Sequence, residues 1–167
     1  NYNISPSPSP DATKIAMYSN RDGEWRIYIL SMIEGKFIKK IVTANKTAKF
    51  EELHVFKPGI SWSSDNERIV FAAKSGATDA LVILNINYEK NFLPIKFNLE
   101  GIFTPSWNPK NNKIAFIGNN GYASDIYIYD LDTDNISNLT NDKFTDKQIK
   151  WHPNGQQLIF VSDRGNF

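Results

Sequence analysis

Apolar residues in this chain come in short bursts separated by polar turns. Ile15-Ala16-Met17, Ile69-Val70-Phe71, Ile114-Ala115-Phe116 and Leu158-Ile159-Phe160 each follow a turn rich in Pro, Asp, Asn or Ser. Later runs such as Ile126-Tyr127-Ile128-Tyr129 are apolar at successive positions, not alternate ones. A strand of that kind is buried on both faces, as in a sheet sandwiched between two others. No 3.6-residue apolar period is sustained, so helices are not predicted.

The bursts belong to a repeat. One copy reads Thr104-Pro105-Ser106-Trp107-Asn108-Pro109-Lys110-Asn111-Asn112-Lys113-Ile114-Ala115-Phe116, and related segments surround Pro10, Ser64 and Pro153. Aligned on Pro10, Ser64, Pro109 and Pro153, the spacings are 54, 45 and 44 residues. A period of that length carrying only strand and turn signals predicts a β-propeller blade of four short strands. In the third copy the strands are expected over 106–108, 113–117, 126–131 and 136–140. Pro109 to Asn112 and Asp132 to Asn135 form turns, because Pro presets φ and Asn tolerates the left-handed region. Gly118-Asn119-Asn120-Gly121 interrupts the chain between the second and third strands. Corresponding strands are expected over 26–30 and 37–43, and over 81–85 and 92–98. The blades thus cover about 6–43, 60–98, 105–140 and 149–167 of one all-β domain.

The motifs Pro105-Ser106-Trp107-Asn108-Pro109, Ile114-Ala115-Phe116, Ile126-Tyr127, Leu139-Thr140 and Ser162-Asp163-Arg164-Gly165 resemble the propeller repeat of the TolB-like family. The resemblance covers nearly the whole chain, four copies in register. Departures are local: Pro8 stands in the Trp position, Ser64 in a Pro position, and Asn66 and Asn112 where the turn has Gly. TolB-like propellers carry six or more blades, and the fourth repeat here runs only through its second strand. The chain is therefore expected to be three and a half blades of a larger six- to eight-bladed ring, with the remaining blades on the same polypeptide. Tyr2 to Ser5 is read as the outer strand of a preceding blade. The rival reading is a compact four-bladed ring.

Composition narrows the function. Net charge is +1 with scattered basic residues, which predicts no nucleic-acid partner. There is no cysteine, so disulfides and thiolate chemistry are excluded while the compartment stays open. No apolar run approaches the ~20 residues of a transmembrane helix. The start at Asn1 reads as a processed or excised end, so the lack of a signal peptide says nothing about export. Four Asn-x-Ser/Thr sequons are expected by chance among 19 asparagines.

Catalytic and metal signals are weak. His152 occupies the slot of Ser9, Ser63 and Asn108, which suits a turn cap. Glu51 and His54 are spaced for metal ligation on a helix but lack further ligands. Asp130 to Asn135 starts like a calcium loop, yet Asn135 and Asn141 stand where Gly and Glu are needed, and the repeat demands a hairpin there. A nucleophile elbow, a His-Glu-x-x-His motif and phosphate-binding glycine loops are absent. No catalytic residue, metal or cofactor is predicted.

What the resemblance implies is a periplasmic or cell-envelope scaffold that docks protein partners. The alternative is a substrate-gating propeller of a larger peptidase, of prolyl-oligopeptidase-like, tricorn-like or fused metallopeptidase type. One segment breaks the repeat: about sixteen residues separate Thr43 from Ile60, against about eight after Thr140. Loop insertions on one face of a propeller often form binding surfaces, although such a segment can also fold back on its own blade. The candidate partner-binding residues are Phe50, Glu51, His54 and Phe56 in this insertion, with Ser61, Ser106 and Lys150 on first strands near the central channel. The fixed positions of Trp62, Trp107 and Trp151 mark them as packing between blades. Trp107→Ala is expected to cost ~3–5 kcal/mol; a variant that melts like the parent would refute the register.

Overall fold

The computed structural model describes residues 2–41, 50–88 and 92–165. The 44–49 half of the predicted insertion, the end of the first outer strand at Thr43 and the last residue, Phe167, lie outside them.

Among the described residues, four antiparallel sheets follow one another. The first comprises β1 (Asn3–Pro8), β2 (Lys14–Ser19), β3 (Arg26–Ser31) and β4 (Phe37–Ile41), in that order. In the second, β5 (Glu52–Leu53) and β6 (Ile60–Trp62) both pair with β7 (Arg68–Ser75), followed by β8 (Thr78–Asn85) and β9 (Phe92–Lys96). The third runs β10 (Gly101–Trp107), β11 (Lys113–Asn119), β12 (Ser124–Asp130) and β13 (Asn135–Asn138). The fourth pairs β14 (Asp146–Trp151) with β15 (Leu158–Ser162). This is the four-stranded antiparallel architecture expected from the repeat.

The first strands are longer than the repeat suggested. Asn3 pairs with Ser19 and Ile4 with Tyr18. Tyr2 to Ser5 thus leads into the first sheet's own inner strand, where an outer strand of a preceding blade was expected. Gly101 to Phe103 likewise opens the inner strand of the third sheet. Three of the inner strands then carry a bulge, between Ile4 and Ser7, Phe103 and Ser106, and Lys147 and Lys150. Pro6 and Pro105 at the first two of these bulges disguise the strand in the sequence.

Burial on both faces of the middle strands is what stacks the sheets. Along β7, Ile69, Phe71 and Ala73 join the core shared with the first sheet, while Val70 and Ala72 join the core shared with the third. On β8, Ala80, Val82 and Leu84 face one way and Leu81 and Ile83 the other. A third core gathers Ala115, Ile117, Ile126 and Ile149 between the last two sheets, with Trp151 and Phe160 against it.

Turns between first and second strands share one device. Ser9, Ser63, Asn108 and His152 each occupy the position after the Trp or its equivalent. The Asp11 carboxylate accepts from Ser9 Oγ (2.5 Å), Thr13 N (3.0 Å) and Thr13 Oγ1 (2.9 Å). Asp65 is held by Ser63 in the same way and accepts from Glu67 N. Asn108 Oδ1 accepts from Lys110 N, and His152 Nδ1 from Asn154 N at 3.2 Å, so His152 is a turn cap. The Asp130 to Asn135 run is the β12–β13 hairpin: Asp130 pairs with Asn135, and Asp134 takes φ 57°.

The hydrogen bonds to Asp11, that from Ser9 first, hold its carboxyl down from 3.8 to about 2. Folding favours its ionised form. The stabilisation is therefore complete above the unfolded value and is lost as pH falls toward the folded one. Asp11→Asn is expected to make stability fall less steeply than in the parent between these two values, as read by urea melts across that acid range.

Candidate functional site

The inner strands form a concave face with two joined cavities, of about 390 and 650 Å³. Both are bounded by Ser5, Pro58, Thr104 and Gln148. Three of these are the first residues of the bulges, and all three adopt left-handed backbone: Ser5 at φ 50°, Thr104 at 45° and Gln148 at 53°. Such a conformation is uncommon for any residue but glycine, most of all for the β-branched Thr104, and costs on the order of 1–3 kcal/mol. The bulge turns these side chains off the regular pleat toward the concavity. Thr104 Oγ1 there is buried with no hydrogen-bond partner among the described residues.

In the second sheet the bulge is enlarged. Leu53 pairs with Ala73 and Ile60 with Phe71, so the residues from His54 to Gly59 loop out of the inner strand. His54 stands at the base of this loop: its Nε2 lies 2.9 Å from Asp79 Oδ1, a close contact without hydrogen-bond alignment, while Asp79 Oδ2 accepts from Ile102 N of the next sheet. The His54 ring meets Phe103 edge-on at 5.6 Å. Lys57 Nζ lies 3.9 Å above the same Phe103 ring, an attraction of the cation to the negative ring face. Gly59 closes the loop where a Cβ would stand 2.8 Å from Thr104 Cα. Only glycine permits the two inner strands to come that close. Between these anchors Phe56 projects, 98% exposed.

The first cavity is lined by Phe56, Lys57, Phe103, Asp146 and Lys147; the second by Pro6, Pro8, Ile60, Pro105 and Lys150. Asp146 is fully buried and bound through both oxygens by Arg164 Nη2, at 2.9 and 3.0 Å. Arg164 also reaches Asp142 at 3.0 Å. Desolvation by the surrounding strands pulls the Lys150 ammonium below its ordinary pKa, although its surface opens on the cavity. No group of three or more residues suited to hold a metal ion occurs among the described residues.

Several residues expected at a partner surface do other work. Phe50 is a core residue at 2% exposure, packed edge-on against Phe71 and Phe92 at 5.5 Å each. An aromatic next to a polar insertion looks surface-bound in sequence, but β5 draws it under the second sheet. Glu51 spends its carboxylate on Gly76 N, 2.6 Å away in the β7–β8 turn. Ser61 Oγ accepts from Trp107 N at 2.8 Å, and Ser106 Oγ from Trp151 N at 3.2 Å. Both serines link neighbouring sheets and line neither cavity. Of the expected set, Phe56 and Lys150 line the concavity and His54 braces it.

Ser5, Thr104, Gln148, Phe103 and Lys147 were not singled out from the sequence. A signal existed: Ser5, Thr104 and Gln148 each stand three residues before Pro8, Trp107 and Trp151.

Phe50→Ala is expected to destabilise by ~3–5 kcal/mol, whereas Phe56→Ala is expected to stay within ~0.5 kcal/mol of the parent. Equal losses in denaturant melts would mean that Phe56 is not the free tip described.

Among the described residues no helix is long and apolar enough to cross a membrane, which leaves strand-crossing untouched. The family model described as the TolB beta propeller domain, PD40, matches residues 53–166. The Tol-Pal system protein TolB of Helicobacter hepaticus is 28% identical over 148 residues, covering 84% of this chain and 35% of that protein. The crystal structure of TolB from Acinetobacter baumannii superposes with a TM-score of 0.77 at 20% identity, over 96% of this chain and 38% of that one. A prolyl endopeptidase structure gives 0.65 at 9% identity, over 98% and 25%. The chain spans little more than a third of the length of these TolB relatives. With that family model matching residues 53–166, more than half its length, the chain belongs to the TolB β-propeller (PD40) family.

Proposed function

We propose that this chain is a non-catalytic protein-interaction module of the bacterial cell envelope, docking a protein partner on the concave face of its inner strands. The observation that carries this reading is the anchored loop from His54 to Gly59. A fully solvated Phe56 held out over a cavity by flanking anchors is an interaction element, not a packing one. The similarity to TolB supports the envelope and the protein partner.

A second reading is a gating propeller of a larger peptidase, favoured by the superposition on a prolyl endopeptidase. There the same concave face would admit peptides to a catalytic domain elsewhere.

The test is photo-crosslinking in cells. A photoreactive phenylalanine analogue replaces Phe56 in one variant and the exposed outer residue Ile33 in another. A discrete protein adduct at position 56 and none at 33 is the expected outcome. Equal adducts, or none, would overturn the docking assignment; adducts dominated by short peptides would favour the gating reading.

A further inference from the structure

We infer that the concave face takes an acidic, extended polypeptide segment, held by Lys57, Lys147 and Lys150. The inference rests on the proposed docking function and specifies its ligand.

Charge carries the argument. Lys57 and Lys147 line the first cavity and Lys150 the second, and the cavities are joined through Ser5, Pro58, Thr104 and Gln148. The one carboxylate lining them, Asp146, is buried and ion-paired with Arg164, a guanidinium it shares with Asp142, and neither acid pairs with these lysines. Among the described residues none of the three ammonium groups has a carboxylate partner. A chain with net charge +1 thus brings three cations without carboxylate partners to one concave face. Lys150 is partly desolvated, and an incoming carboxylate would restore favourable surroundings to its charged form. The cavity walls weaken these fields less than open water does.

The backbone selects the mode of binding. The inner strands are sheet edges, where an extended ligand would normally add as another strand. Pro6, Pro8 and Pro105 lie in those edges and Pro58 in the enlarged bulge, and none has an N–H to donate. Recognition therefore falls to side chains. The ammonium groups, the unpartnered Thr104 hydroxyl and the Phe56 ring are the groups available, along a trough that suits an extended segment.

The experiment uses the whole chain and fluorescence anisotropy with two labelled peptides of equal length, a Glu–Ser repeat and a Gln–Ser repeat, plus an oligothymidine of charge equal to the acidic peptide. The Glu–Ser peptide is expected to bind at least about tenfold more tightly than its neutral counterpart and to weaken with added salt. K57E/K147E/K150E should abolish that preference, and the milder K57Q/K147Q/K150Q should reduce it. K36E/K110E/K143E, with the same change of net charge on other surfaces, should retain it. Melting temperature serves as the folding check for each variant. Equal binding of the two peptides, equal loss in the K36E/K110E/K143E variant, or oligothymidine binding as tightly as the peptide would each overturn the inference. If a Phe56 adduct forms in cells while both peptides bind alike, the acidic specificity falls and the docking function stands.

Discussion

Successive inner strands are clasped by one recurring pair, a serine on one sheet and a tryptophan on the next. Trp62 Nε1 donates to Ser7 O at 2.8 Å, Trp107 N to Ser61 Oγ at 2.8 Å, and Trp151 to Ser106 through both its main-chain N and its ring Nε1. The rest of the structure depends on this clasp because inner strands are the edges of their sheets. Their free backbone groups would otherwise be buried without partners or left open to foreign strands. The indole adds the apolar area that seals the inner end of each inter-sheet core, where Trp62, Trp107 and Trp151 sit. Each hydrogen bond contributes only about 0.5–1.5 kcal/mol; its larger effect is to fix the distance and angle between sheets.

With the sheets spaced in this way, the bulges take up what the clasp leaves. Between the clasp and the start of each inner strand the chain is one step out of register, and Ser5, Thr104 and Gln148 absorb the misfit in left-handed backbone. That strain places polar side chains at the waist between the two cavities. The second sheet widens the same device into a loop, with His54 packed against Asp79 and Phe103 and Gly59 closed against Thr104. The concave face is therefore a consequence of how the sheets are clasped, with the loop as its variable part.

Much of this was legible in the sequence. The middle strands stood out because burial on both faces leaves an unbroken apolar run, as at 126–129 on β12. The turn role of His152 followed from its place in the repeat. The inner strands were read too short because Pro6 and Pro105 argue against a strand unless it is an edge, and edge status is a tertiary property. Phe50 and Ser61 were misplaced for a related reason. Each lies beside polar residues in sequence, while its actual surroundings come from a neighbouring strand or sheet.

The amino-acid sequence by itself determined the repeat, the all-β class, the turn chemistry and the tryptophans as inter-sheet packing. These are local patterns of apolar spacing and backbone preference, repeated four times, so each copy corroborates the others. Only the tertiary structure decided which polar residues face the concavity. Ser61 and Ser106 occupy the same repeat position as Lys150, yet a hydroxyl can accept the next tryptophan's N–H and an ammonium cannot. The two serines are consumed in holding the sheets together, and Lys150 is left on the cavity wall with Lys57 and Lys147. Position in the repeat set the backbone, and the partner brought up by the adjacent sheet set the role.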